Sequence, residues 1–482
     1  MARPPQSALL TESNIALYAD YYELTMGKAD FDDGNNVICT ENYFVRSIPQ
    51  GEYMIAAGLE QVIHYILNLR FTDIDLKWLK ESKATPDMSD AYLNYLRHFK
   101  FDGDVYAVPE GTPVFANEPL INVTGRSIDV QIFETYLLSV VNFQTLVATK
   151  TARIVHSARG RPCFDFGARR AHGRDAGILA ARASFIGGAV GTSLVIAGQY
   201  FNIPYVGTIA HKFIQDRPCE LEAFRAYVRS FPHNAHLLID TYDTIQGAKN
   251  AAIIGMELAA QGQQLKGVRL DSGDLLQLSK AVRAILDEAG LNDVQILASN
   301  YLDEFQIDRL LQAGAPIDSF GVGTRLATGA NFNSLTGKGG TSALPGVYKH
   351  VERTEGDSAV PTLKRSDDPG KSTLPGKKQI HRFSGDNGNY TMDVISLWDE
   401  MLQESKEYTS EPLLVPIIRQ GKLVYQFPVL TEIQSQANAK LSRLPAPCTA
   451  LTDAEEYPVT LSAELASLQK QLSPEGSVKL EG

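Results

Sequence analysis

Cysteine is scarce and scattered. Four residues, Cys39, Cys163, Cys219 and Cys448, stand far apart in a chain of 482, with no CxxC pair and no Cys/His spacing suited to zinc. That pattern argues against a disulfide framework, and the four read as reduced, structural thiols. Long apolar runs are missing too. No stretch approaches the roughly 20 residues that a membrane span requires. The N-terminus "MARPPQSALLTES" has neither the apolar core nor the small-residue cleavage site of a signal peptide. A cytoplasmic protein with no membrane partner is expected. Positive charge is in deficit: Lys plus Arg number 45 against 56 for Asp plus Glu, a net charge of -11. General nucleic-acid binding rests on a positive surface, so no nucleic-acid partner is expected. Anionic small molecules stay open, because a few well-placed cations suffice for them.

What is present is ordinary globular material. With 44% hydrophobic residues the chain can bury large cores, and its length predicts two or three domains. Residues 1–128 mix a helix around Tyr21–Phe31, the strand-like "VICTENYFVRSI", a helix through "AAGLEQVIHYILNL" and short strands in "DVYAVPEGTPVFANEPLINVTG". They predict an N-terminal α+β domain. Residues 129–345 form a second unit, entered through an apolar helical connector over 129–160. In it "RPCFDFG", "IPYVGTIAH", "AHLLIDTYD", "LKGVRLDSGD", "VQILASN" and "IDSFGVGT" are β-rich, and helices such as "LLQLSKAVRAILDEAG" lie between most of them. This alternation predicts parallel strands with crossover helices, in an α/β barrel or an open doubly wound sheet. Over 346–482 the rhythm stops: strand-like "GVYKHVE" and "PLLVPIIRQGKLV" flank a Pro/Gly/Lys-rich loop, and the tail from Thr431 reads as helical and polar.

Each β-rich run ends in groups able to do chemistry: Asp165, His211, Asp240 with Asp243, Arg269 with Asp271, Ser299 with Asn300, then Gly321 and Gly323. In a parallel barrel those positions share the C-terminal face, where active sites of that architecture sit. "RLDSGD", Arg269 to Asp274, offers a carboxylate for ribose hydroxyls and a guanidinium for phosphate, or a helix N-cap. "SFGVGTRL" supplies a GxG turn whose N–H groups can approach a phosphate. "GGAVGTSLVIAGQYF" is a glycine-rich loop feeding a helix. "DFGARRAHG" places Phe166 for stacking and Arg169 and Arg170 for an anion. The remaining histidines have no companions at convincing metal spacing, and the His233/His236 pair lacks a third ligand. His211 by itself is a well-placed imidazole that core packing would also explain.

Taken in order, "ADYYELTM", "DFGARRAHG", "GTSLVIAG", "PYVGTIAH", "LIDTYDT", "RLDSGD", "SFGVGT", "GVYK" and "LPGKKQ" resemble nicotinate phosphoribosyltransferases, from about Asp20 to about Arg382. The resemblance implies a type II phosphoribosyltransferase: an irregular, TIM-like α/β barrel beside an N-terminal α+β domain that the chain re-enters after the barrel, then a C-terminal helical tail. It implies transfer of phosphoribosyl from 5-phosphoribosyl 1-diphosphate to nicotinate, with ATP as co-substrate, Mg2+ as cofactor and a homodimer with shared active sites. His211, in "GTIAH", would be phosphorylated by ATP, with Thr208 of the same motif lining the substrate site. Asp271 would hold ribose hydroxyls and Arg269 a phosphate, with Gly321, Gly323 and Thr324 around the 5-phosphate. Phe166 and Tyr22 would sandwich the pyridine ring, Tyr22 arriving from the neighbouring subunit, with Arg169 near the ring and pyrophosphate. Lys349, Lys371 and Lys377 would meet the diphosphate or ATP, and Asp240 and Asp243 would orient His211 or a metal; the Mg2+ ligands are unassigned. The nicotinamide enzyme carries an aspartate where this chain has Ser193, so Ser193 favours the acid substrate. The quinolinate enzyme lacks the histidine chemistry. A barrel phosphosugar lyase or isomerase would need a strand-end lysine or base, and none of the six strand ends presents a lysine.

Overall fold

One helix joins the two halves of the molecule. The computed structural model describes residues 10–11, 14–48, 53–330, 342–365, 372–402 and 408–473. Within it the expected connector is a short helix, Ser127–Gln131, followed by the 24-residue helix Glu134–Ser157. Leu137, Val140, Val141 and Leu146 of that helix pack in a core with the N-terminal strands. Val147, Ala148, Ala152 and Ile154, further along it, pack in the core of the parallel sheet. Its buried hydroxyls serve the backbone, as Thr149 accepts from the Ile55 N–H at 2.9 Å and Thr145 from that of Ala57 at 3.2 Å. Lys150, fully buried, pairs with buried Glu304 at 2.7 Å, fixing the helix to Glu304–Gln312.

The N-terminal sheet has seven strands, ordered Ser358–Pro361, Gly346–Glu355, Ile38–Val45, Ile121–Arg126, Asp104–Ala107, Val415–Arg419 and Lys422–Leu423. Strands from both ends of the chain therefore share one antiparallel sheet. The C-terminal part also builds a four-stranded sheet, ordered Thr409–Pro412, Lys378–Ser384, Tyr390–Leu397 and Val459–Leu461; the expected helical tail carries the helices Leu430–Leu441 and Ala463–Leu472 and gives this sheet only its last strand. Among the described residues no helix is long and apolar enough to cross a membrane.

The alternating region folds as a six-stranded parallel sheet ordered Gly191–Thr192, Cys163–Asp165, Ser319–Val322, Gln295–Ala298, Gly267–Leu270 and His236–Leu238. The expected parallel strands are present, and among the described residues the two edge strands are not paired to each other, so hydrogen bonding alone does not close the sheet into the irregular, TIM-like barrel. Residues 204–210 are not a strand. A single parallel bridge joins Tyr205 to Thr192, and His211 opens the short helix His211–Gln215. The glycine-rich loop does lead through Gly191–Thr192 into a helix, Val195–Phe201.

Arg182, on the helix Arg174–Ile186, locks the two cores together. It is fully buried and bidentate to Glu110 at 2.8 and 2.7 Å, with Gln144 at 3.1 Å and Glu60 at 2.7 Å. Burial alone would raise the Glu110 carboxyl, yet Arg182 holds it below its ordinary value. The contribution is therefore present at neutral pH and lost as acid titrates Glu110 below the ordinary carboxylate range. Removing one partner strands a buried charge, which costs about 3–5 kcal/mol. Arg182→Met is expected to lower the thermal unfolding midpoint by that equivalent. Glu60→Gln, at the half-exposed end of the network, is expected to cost about 1 kcal/mol or less. Equal shifts in the two variants, read by calorimetry, would contradict the assignment.

Candidate active site

Arg269 emerges from the strand Gly267–Leu270 and meets oxygens from three other places in the chain. Its Nε donates to Ser299 Oγ at 2.9 Å, Nη1 to Thr208 Oγ1 at 3.1 Å and Nη2 to Asp271 Oδ1 at 2.8 Å. Its guanidinium carbon lies 5.4 Å from the centroid of the Phe166 ring. Ser299 also hydrogen-bonds Asp271 Oδ1. With that oxygen engaged twice, Asp271 Oδ2 has no partner among the described residues, and the side chain is 26% exposed. The carboxylate is thus aimed by its cation and keeps one acceptor open.

Phe166 follows the strand Cys163–Asp165 and is held by its own N–H, which donates to Val322 O at 2.8 Å. Its ring lies over Gly321, where a β-carbon would stand 2.4 Å from Phe166 Cδ2. That glycine is needed to seat the aromatic ring. Gly167 has a similar reason, since a β-carbon there would come within 2.7 Å of the Gly323 carbonyl oxygen. Asp165 beneath them is fully buried, and burial pushes its carboxyl up. It accepts from the Gly167 N–H and the Thr192 hydroxyl, both at 2.8 Å, so its work is to tie two strand ends together. Ser193 next to Thr192 is exposed, as are Thr324 and Arg169. Arg169 makes no ion pair among the described residues. Asn300 and Tyr301, after Ser299, both take left-handed backbone (φ 88° and 47°), uncommon for non-glycine residues, and turn the chain at the edge of the cluster.

His211 is half-buried, and its Nδ1 lies 3.1 Å from Thr241 Oγ1. The sequence singled out Asp240 and Asp243 here, but neither touches the imidazole. Asp243 is the N-cap of Thr244–Ala259, accepting from Gln246 N–H at 2.7 Å. Asp240 accepts from Ser272 on one oxygen, while its other oxygen is buried without a partner. Glu220, which sequence reasoning missed, is a buried carboxyl raised by burial and by the charges of Asp240 and Asp243. In "RLDSGD" the helix N-cap expectation holds, and it falls on Asp274. Asp271 joins the cluster, and Asp274 caps Leu275–Glu288 by accepting from Leu276 and Gln277 N–H.

The lysines and Tyr22 fall elsewhere. Tyr22 is 41% exposed and borders two cavities of ≈400 and ≈540 Å³, neither lined by Phe166, His211, Arg269 or Asp271. Burial, and then Glu134, raise the Tyr22 phenol. Lys349 pairs with the same Glu134 at 3.0 Å and lines the larger cavity. Lys377 stands over the rings of Tyr106 and Trp398, at 4.7 and 4.5 Å, a cation–π cage apart from both groups. Lys371 lies outside the described residues.

Chemically, the strand-end cluster combines an open carboxylate oxygen, a fixed guanidinium and an aromatic face, and the partly buried imidazole of His211 stands three residues along the chain from its Thr208. Three family models match the chain. They are the nicotinate phosphoribosyltransferase N-terminal domain over residues 17–142, the nicotinate phosphoribosyltransferase family over 162–385, and the corresponding C-terminal domain over 402–469. A nicotinate phosphoribosyltransferase of Mycobacterium tuberculosis is 39% identical over 461 residues, 94% of each chain. That of Bacillus subtilis is 36% identical over 491 residues, covering 98% of this chain and 97% of its own. The crystal structure of human nicotinic acid phosphoribosyltransferase matches with a TM-score of 0.80 at 28% identity, over 94% of this chain and 99% of that one.

The Arg269 hydrogen bonds predict a local stability. Each bond to a charged group contributes about 1.5–3 kcal/mol. Arg269→Gln is expected to speed amide exchange over residues 206–210 by roughly 10-fold or more, leaving the strand Gln295–Ala298 unchanged. Unaltered exchange at 206–210, followed by mass spectrometry, would show that Arg269 does not anchor this segment.

Proposed function

The chain belongs to the nicotinate phosphoribosyltransferase family and is an enzyme of that type, and we propose that it makes nicotinate mononucleotide from nicotinate and 5-phosphoribosyl 1-diphosphate in NAD biosynthesis, coupled to ATP through a phosphohistidine. The observation that carries this assignment is the Arg269–Asp271 pair beside the Phe166 ring. The open Asp271 oxygen accepts from ribose hydroxyls. Phe166 stacks on the pyridine ring, and the turn Gly321, Gly323, Thr324 receives the 5-phosphate. The ring nitrogen's lone pair forms the bond to the anomeric carbon as the carbon–oxygen bond to diphosphate breaks, and the diphosphate leaves with the electron pair. Arg169, exposed and without an ion-pair partner among the described residues, is free to meet that developing charge.

The donor set fits Mg2+. Asp240 keeps a buried, unpartnered oxygen near Ser272, and carboxylates are what a hard cation selects. When bound, the ion supplies neutralisation of phosphate charge. His211, with Nδ1 protonated toward Thr241, presents the Nε2 lone pair to the γ-phosphorus of ATP; an N–P bond forms, the bond to ADP breaks, and hydrolysis later releases phosphate. The parallel sheet with its Tyr205 bridge is read as the frame of an irregular barrel. A homodimer with shared sites is supported by Tyr22 and Lys349 lining a cavity that Phe166 of the same chain does not. It is also favoured by the exposed Val195, Ile196, Tyr200 and Tyr205 along the helix and segment flanking Ser193. The cytoplasm suits this chemistry.

Incubation with γ-labelled ATP is expected to give an acid-labile phosphoenzyme. His211→Ala should lose the label and the ATP stimulation while keeping basal transfer. Label retained on that variant would remove His211 from the role. Ser193→Asp is expected to reduce kcat/KM for nicotinate at least ~10-fold, about 1.4 kcal/mol of charge repulsion, without a matching loss for nicotinamide. Equal losses for both substrates, assayed side by side, would exclude Ser193 as the discriminator.

A further inference from the structure

We infer that Cys39, Glu41 and His350 form a binding site for a borderline-soft divalent cation of the Zn2+ class, on the wall of the ≈540 Å³ cavity beside the seven-stranded sheet. Nothing in the proposed transfer reaction uses these residues. Among the described residues they are the one grouping of three such side chains able to share an ion, their ligand atoms lying within 4.8 Å of one another.

The strands bring them together through a fault in register. Cys39 and Glu41 are two apart on Ile38–Val45, so alternation sets both on one face. Cys39 pairs with Arg353 and Thr40 with Glu352, and continuing that register would put Glu41 opposite Val351 and turn His350 to the other face. Between Thr40 and Glu41 the register shifts by one residue, so that Glu41 faces His350 and all three donors share a face. His350 Nδ1 already lies 3.0 Å from Glu41 Oε1.

The chemistry of the set decides which ion. A thiolate, an imidazole and a carboxylate suit zinc, whereas Mg2+ and Ca2+ favour oxygen alone. Tetrahedral Zn2+ with sulfur near 2.3 Å and nitrogen or oxygen near 2.0 Å places its ligands about 3.3–3.5 Å apart. Side-chain rotation covers the remaining distance, and the cavity has room for water as a fourth ligand. Neighbouring cations are already neutralised, Lys349 by Glu134 and Arg353 by Glu355. Burial pushes the Cys39 thiol up and raises the Glu41 carboxyl against the pull of His350, so binding would release protons.

The test uses the full-length protein, freed of metal by chelation and titrated with Co2+, then Zn2+. One Co2+ per chain is expected, with a thiolate-to-cobalt charge-transfer absorption that Zn2+ abolishes. Cys39→Ser should lose the band. His350→Gln, at a partly exposed position where folding is safe, should weaken Zn2+ binding at least roughly 10-fold. A wild-type protein with no stoichiometric charge-transfer band overturns the inference. So does a band that persists undiminished in both variants, which would assign it to the exposed Cys219.

Discussion

The candidate site depends on one guanidinium. Arg269 sits at a strand end, only 15% exposed, and donates to Ser299, Thr208 and Asp271 while facing the Phe166 ring. A partly buried cation needs such acceptors to offset lost hydration. Once it has them, each acceptor is fixed as well. Asp271 is aimed, Ser299 is drawn between its neighbours, and the segment leading to His211 is tied to the sheet by a side chain where it lacks a strand ladder. The parallel sheet brings these chain segments to one edge, and the guanidinium sets their final geometry.

Most of the scaffold was legible because it follows from periodicity. Alternating short apolar runs and amphipathic stretches specify parallel strands and crossover helices, and five of the six expected runs are strands of the six-stranded sheet. "IPYVGTIAH" misled for a physical reason. Its Tyr, Val and Ile favour strands, but Tyr205 and Val206 are 63% and 36% exposed and only one bridge forms. β-propensity describes side chains on a covered, pleated surface, and within one chain Ile203 and Ile209 of this segment have cover while Tyr205 and Val206 do not. A second subunit, as in the proposed dimer, would give those side chains their cover.

The site was legible where rare chemistry marks it and obscure where common hydroxyls do the holding. Arg269, Asp271, Phe166 and His211 stood out by type and by their expected position at strand ends, which the fold gives to the first three. Thr241 and Ser272 carry no signal in a sequence, since hydroxyl residues are everywhere. Only the fold shows that Thr241, rather than Asp240 or Asp243, touches the imidazole. Glycine was legible for one reason and is required for a second. Gly321 was expected beneath a phosphate, and the packing shows that it is needed beneath an aromatic ring. Both demands favour the same residue, so the sequence could not separate them.

The cation site inferred at Cys39 shows the complementary limit. Spacing rules for metal ligands assume donors carried on one turn or hairpin, and here His350 is 309 residues from Glu41. A single-residue slip in strand register, invisible to any local pattern, decides whether His350 faces its partners or the opposite side of the sheet. Next to His350 in the chain, Lys349 reaches Glu134, which also acts on Tyr22. The three donors and the Tyr22–Glu134–Lys349 group line the same cavity. An ion held by the first would add positive charge beside the second, the group that the resemblance places at the diphosphate and the pyridine ring.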